Sequence, residues 1–108
     1  MNSSEYCLVL STFPEGEGAA AAARELVERG LAACGNILPG LRSIYIWQGR
    51  QEESTEQLLI LKTRCDIYPA VEEALRALHP YELPEIRAVP VQAGLATYLA
   101  WVDQGVRR

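Results

Sequence analysis

The chain is poor in the residues from which most chemical sites are built: its 108 residues include one histidine, one methionine and one phenylalanine. With one histidine and three cysteines, no nucleophile can be matched to a base and an orienting group. The cysteines, Cys7, Cys34 and Cys65, are odd in number, widely spaced and without a Cys-x-x-Cys pair, which excludes the usual zinc knuckle or metallochaperone loop. No glycine pattern of the P-loop or dinucleotide-binding kind occurs. Positive charge is also scarce, with 10 Lys and Arg against 14 Asp and Glu. The basic residues are scattered and only Arg107 and Arg108 are adjacent, so nucleic acid is not an expected partner. No apolar run approaches the roughly 20 residues that span a bilayer, so no membrane role is expected. The start Met1 to Glu5 lacks the basic opening of a secretory signal, and the expected location is the cytoplasm.

What is present is the composition of one globular domain over residues 1–108, 49% hydrophobic and 22% charged. Tyr6 to Thr12 is a continuous apolar run ended by Pro14 and Gly16, which predicts a buried strand. Gly18 to Arg29 predicts a helix with Leu26 and Val27 on its stripe, and Gly30 is placed where a helix C-terminus turns left-handed. Ala32 to Leu38 reads as extended, interrupted by Pro39 and Gly40 before a strand over Leu41 to Trp47. Gln48-Gly49-Arg50 supplies a turn, and the return strand includes Gln57 to Thr63. Glu52 to Glu56 then reads as the solvated tip of this hairpin. A second helix is predicted from an N-cap at Asp66, with Pro69 in its first turn and an apolar stripe running from Ile67 to Leu78. A strand over Ile86 to Val91 and a short helix over Ala96 to Gln104 complete the chain.

The order βαββαβ plus a C-terminal helix predicts an α+β, ferredoxin-like fold with two helices on one face of an antiparallel sheet. The other face should then alternate with polar residues, yet Ile44 to Trp47 and Leu58 to Leu61 are apolar on both faces. Either another subunit covers that face or the helix bearing Trp101 does, and the extent of apolar surface favours an oligomer. Between the second helix and the last strand lies His79-Pro80-Tyr81-Glu82-Leu83-Pro84-Glu85, where two prolines fix a loop carrying the lone histidine, a tyrosine and two carboxylates. Cys7 and Cys34, flanked by apolar or small residues, read as buried small hydrophobes; Cys65, beside Arg64 at a helix start, is more open.

The segment Leu31 to Gly40, with Cys34, Asn36, Pro39 and Gly40, resembles the CutA divalent-cation tolerance proteins, as do Ser43 to Arg50, Leu58 to Thr63 and His79 to Glu85. The resemblance runs from about Tyr6 to Trp101. It implies a ferredoxin-like subunit, a homotrimer held by strand pairing, a shape similar to the trimeric PII signalling proteins, and an association with copper and other divalent ions. Some members carry a cysteine at the end of the first strand and a second histidine before the His-Pro pair, both proposed as copper ligands. This chain has Ser11 and Leu78 there, so of that set only His79 remains. Trp47-Gln48-Gly49-Arg50 replaces the usual Trp-Glu-Gly-Lys, and Gly35 replaces a branched or small apolar residue.

Two site readings follow. In the first, His79 ligates copper or another divalent cation with Glu82, Glu85 or a neighbouring subunit's cysteine. The bland counterpart is a histidine at a helix C-terminus, protonated under the helix dipole and closing the turn before Pro80. In the second, a trimeric sensor binds a small molecule or anion in an intersubunit cleft lined by Tyr45, Trp47, Lys62, His79, Tyr81 and Glu85. Subunit packing by the aromatics and an ion pair from Lys62 to Glu82 or Glu85 are the plainer alternatives. An enzyme with Glu82 or Glu85 as base beside His79 lacks a nucleophile and is not expected.

Overall fold

The computed structural model describes residues 5–107; Met1 to Ser4, and Arg108 of the terminal arginine pair, lie outside the described residues. The elements are β1 (Tyr6–Pro14), α1 (Gly18–Glu28), β2 (Cys34–Trp47), β3 (Arg50–Arg64), a 3₁₀ turn (Cys65–Ile67), α2 (Tyr68–Leu78), β4 (Arg87–Pro90) and α3 (Ala96–Gly105). The four strands form one antiparallel sheet in the order β2-β3-β1-β4, the ferredoxin-like arrangement that the sequence predicts.

Strand periodicity decides which side chains meet the helices. Cys7, Val9, Ser11 and Phe13 of β1 share a face with Leu59, Leu61 and Thr63 of β3, and all are buried. Against them α1 presents Ala19, Ala22, Ala23 and Leu26, and α2 presents Val71, Ala74 and Leu75, both at helical spacing. Burying a leucine or phenylalanine of this core contributes about 1.5–3 kcal/mol each. The alanines let α1 lie close to the sheet, and Gly35 is part of that fit: a Cβ there would stand 3.0 Å from the Ala23 Cβ. α1 closes in a Schellman motif, with Gly30 at φ 73° and its N–H on the Val27 carbonyl, and the Leu31 N–H on the Leu26 carbonyl.

On the opposite face α3 covers one corner, where Tyr6, Leu99 and Val102 pack with Ala33 and Val91. Leu8, Leu10, Leu58 and Ile60 on that face remain only half-buried. Cys34 lies there too, half-buried rather than enclosed as predicted, because it pairs with Lys62 on the open side of the sheet. The corner is tied by Arg64, whose guanidinium reaches Asp103 at 2.8 Å, Glu5 at 3.0 Å and Asp66 at 3.2 Å. Asp66 is therefore not the helix N-cap that the sequence suggests; it sits in the 3₁₀ turn with its carboxylate on Arg64.

β2 is one strand of 14 residues rather than two segments. Leu38 pairs with Leu58 and Leu41 with Glu56, so Pro39 and Gly40 together face Gln57, a bulge in which Pro39 has no N–H to contribute and Gly40 takes φ 78°. The extra residue reverses the alternation. Before it Cys34, Asn36 and Leu38 point to the open face; after it Leu41, Ser43, Tyr45 and Trp47 do.

The hairpin continues to the pair Trp47–Arg50 across a two-residue turn with Gln48 at φ 52° and Gly49 at φ 79°. β3 thus has 15 residues, which at about 3.3 Å per residue accounts for the 46 Å long axis of the molecule. Glu52 to Glu56 belong to this strand and are not a loop tip: Glu52 faces Tyr45, and Glu53 bonds Arg42 at 2.8 Å. β4 is shorter than the predicted Ile86 to Val91, since Ile86 turns into the main core and Val91 into the corner under α3.

Replacing Arg64 by Met removes the three ion pairs and the guanidinium that lies 5.3 Å from the centroid of the Tyr6 ring. The expected loss is about 1–3 kcal/mol in chemical denaturation, the lower part of the range reflecting the exposed partners, with amides of α3 the first to lose hydrogen-exchange protection.

Candidate functional site

The 79–86 loop leaves α2 at His79, which is extended at φ −81° and ψ 135° as a residue before proline must be. It then passes the end of β1 beyond the reach of β4. The His79 ring stacks on Phe13 with centroids 4.0 Å apart, and Nε2 lies 2.9 Å from the Thr12 carbonyl oxygen. A carbonyl only accepts, so Nε2 carries the proton. Nδ1 in turn accepts the Tyr81 N–H at 3.1 Å, which makes the ring the neutral Nε2–H tautomer with both nitrogens engaged.

Burial lowers the His79 pKa below its ordinary value, against the opposing pull of the Thr12 carbonyl and Glu56. The sequence reading of a ring protonated by the helix dipole is therefore corrected: the loop holds a neutral imidazole.

Tyr81 lies next to His79, ring centroids 5.0 Å apart, and its hydroxyl donates to Glu56 Oε2 at 2.6 Å. Burial, then this bond and the Glu56 charge, push the phenol pKa up, so Tyr81 stays a donor. Glu56 is 7% exposed and belongs to the site, a role hidden by its place in an acidic run. Counting back from the Gln48-Gly49 turn in unbroken register, before the bulge is reached, sets it opposite Leu41, on the face that bears Tyr45 and Trp47, which is the signal that could have identified it. Glu85 accepts from the Thr12 hydroxyl at 3.4 Å and from Arg87 at 2.9 Å.

These elements enclose a groove of about 570 Å³. β1 contributes Thr12, β2 contributes Ser43, Ile44, Tyr45 and Trp47, β3 contributes Glu56, and the loop contributes Tyr81, Glu82, Leu83 and Glu85. Of the predicted cleft residues, Tyr45, Trp47, Tyr81 and Glu85 line this groove, and His79 stands behind Tyr81 as its support. Lys62 is elsewhere: its ammonium lies 5.8 Å from the centroid of the Tyr98 ring, under α3. Of the predicted metal ligands, Glu82 and Glu85 line the groove, while the His79 nitrogens are occupied. No group of three or more His, Cys, Asp or Glu placed to hold a metal ion occurs among the described residues. Asn36, Pro39 and Gly40 form the strand and bulge that orient the hairpin, with Cys34 at its start.

Fold and groove together define a ferredoxin-like domain with an acidic, aromatic-walled recess between a long hairpin and a proline-bounded loop. The family described as CutA1 divalent ion tolerance protein matches residues 7–105, and the chain belongs to that family. It is 50% identical over 97 residues to the divalent-cation tolerance protein CutA of Thermus thermophilus, covering 90% of this chain and 94% of that one. It is 45% identical over 93 residues to mouse protein CutA, covering 86% of this chain and 52% of the mouse protein, so the chain spans about half of that relative. A solved structure from Archaeoglobus fulgidus, described as a periplasmic divalent cation tolerance protein CutA, superposes with a TM-score of 0.91 at 37% identity, over 94% of this chain and 99% of that one. No helix among the described residues is long and apolar enough to cross a membrane.

Because the chain has one histidine, its ring protons can be followed singly by NMR. Half-protonation is expected at a pH below about 6.5. The linked stability has a definite sign: the unfolded chain binds the proton more readily, so this contribution is complete above pH about 6.5 and is lost as pH falls through the folded-state value. Tyr81→Phe leaves the buried Glu56 without its donor and is expected to cost about 1–3 kcal/mol, read from denaturant midpoints.

Proposed function

We propose that this protein is a homotrimer that binds divalent cations and takes part in the cellular response to metal ions, with the hairpin–loop groove as its binding surface. The observation that carries this reading is the charge of the groove: Glu56, Glu82 and Glu85 line it, and no Lys, Arg or His is among its lining residues. Carboxylates at the mouth of a recess draw cations and repel anions. Carboxylate oxygens alone suit hard and borderline divalent ions; for copper, which favours imidazole, His79 must first release the Tyr81 N–H from Nδ1. Affinity for copper is accordingly weak within one subunit, and ligands from a neighbouring chain would strengthen it.

Assembly is supported by the open face and the hairpin. Ile44 and Ile46 are 61% and 67% exposed, beside Tyr45 and Trp47. An apolar projection of this kind is a surface for strand-to-strand packing between copies. The role is binding, with no catalytic step assigned to these residues. The cytoplasm, where thiols stay reduced, suits a chain whose three cysteines carry no disulfide.

A second reading, a PII-like trimeric sensor for a small molecule, is favoured by one feature: the Tyr45, Trp47 and Tyr81 walls and the 570 Å³ volume fall within the range of organic-ligand sites. Calorimetric titration of the reduced protein with copper and zinc salts, alongside light-scattering mass, separates the two. The expected result is a mass of three chains and saturable binding at an integer stoichiometry, weakened about tenfold or more in the Glu82→Gln, Glu85→Gln double variant at unchanged mass. A trimer without saturable binding would shift the assignment to the small-molecule sensor, and a monomer would remove the assembly from it.

A further inference from the structure

Two thiols 58 positions apart in the sequence meet at the junction of β3 and α2. Cys7 faces Thr63 across the β1–β3 ladder, and Cys65 lies two residues further on the same side of the sheet, where the strand gives way to the 3₁₀ turn. That turn brings the side chains together. Cys65 packs on the core cluster that contains Cys7, close enough for its thiol to act on that of Cys7. Cys7 is 2% exposed, whereas Cys65 is half-buried and is the more open of the two. Cys34 stands apart on the opposite face of the sheet.

We propose that Cys7 and Cys65 are a thiol-oxidation site that closes to an intramolecular disulfide when the protein meets a low-molecular-weight disulfide such as oxidised glutathione. The Cys65 sulfur attacks one sulfur of the reagent and expels one thiol, leaving a mixed disulfide. The Cys7 thiol then loses its proton and attacks Cys65 Sγ, expelling the second thiol. Two protein thiols are oxidised, one external disulfide is reduced to two thiols, and two protons pass to the products.

The site favours this outcome over its alternatives. Burial, and then the neighbouring Cys65, push the Cys7 thiol up to about 12, so a thiolate is costly there and Cys65 must act first. A metal ion held by both sulfurs would require both to be ionised within this apolar region, whereas the disulfide is neutral. Tyr68, which lies near Cys7, and its partner Glu72 supply no positive charge. Bond formation brings the sulfurs to about 2 Å, which calls on rotation of both side chains and adjustment of the short turn that carries Cys65.

The test is to incubate the reduced full chain with oxidised glutathione, quench in acid, alkylate in denaturant and map the peptides by mass spectrometry. The expected product has the peptides of Cys7 and Cys65 joined, a chain mass lower by two hydrogens, Cys34 alkylated, and full reversal by dithiothreitol. Cys65→Ser should abolish the link. Retention of alkylatable thiols at both positions, a glutathione adduct on Cys65 that never closes, or disulfides that run only through Cys34 would each overturn the proposal.

Discussion

The groove depends on one extra residue in β2. With strict alternation across Pro39 and Gly40, Tyr45 and Trp47 would point to the face opposite Glu56, and no wall would stand across from the 79–86 loop. The bulge moves both aromatics to the loop side and places Leu41 opposite Glu56, the residue that receives the Tyr81 hydroxyl. Proline tolerates the missing ladder bond and glycine the positive φ, so the sequence meets both local demands of the device at adjacent positions.

The loop is held as firmly as the hairpin is aimed. His79 bridges the end of β1 and the Tyr81 backbone with its two ring nitrogens while stacking on Phe13, and Tyr81 anchors to Glu56 of β3. A histidine used in this way is a structural bracket. Its depressed pKa comes first from burial, and the neutral tautomer is the form that can donate at one nitrogen and accept at the other. The negative potential of the groove then rests on the carboxylates of Glu56, Glu82 and Glu85, with Arg87 offsetting part of the charge of Glu85.

The two faces of the sheet have different tasks. The helix face is a closed core in which small residues on α1 and Gly35 allow close packing, and where Cys7 meets Cys65. The open face is closed at one corner by α3 through Tyr6 and the Arg64 ion pairs, and elsewhere leaves half-buried leucine and isoleucine. This division is consistent with the proposed trimer, in which the open face and the hairpin meet other copies.

The element order, the helix stripes, the left-handed Gly30, the hairpin turn and the extended His79 loop were legible because each is a local matter of period, capping or proline geometry. The same local signals misled where partners are distant. Asp66 looks like a cap but serves Arg64, Glu52 to Glu56 look like a loop tip but form strand, and Lys62 shares the charge and spacing of a site residue yet lies over Tyr98. By itself the sequence determined which faces are apolar and where the chain turns. Only the tertiary structure decided that Glu56 meets Tyr81, that both His79 nitrogens are taken, and that Cys65 packs on the core around Cys7. The reason is physical: a residue's own period fixes its face, but its partner is set by register, and a single bulge or turn shifts register without leaving a strong trace in composition.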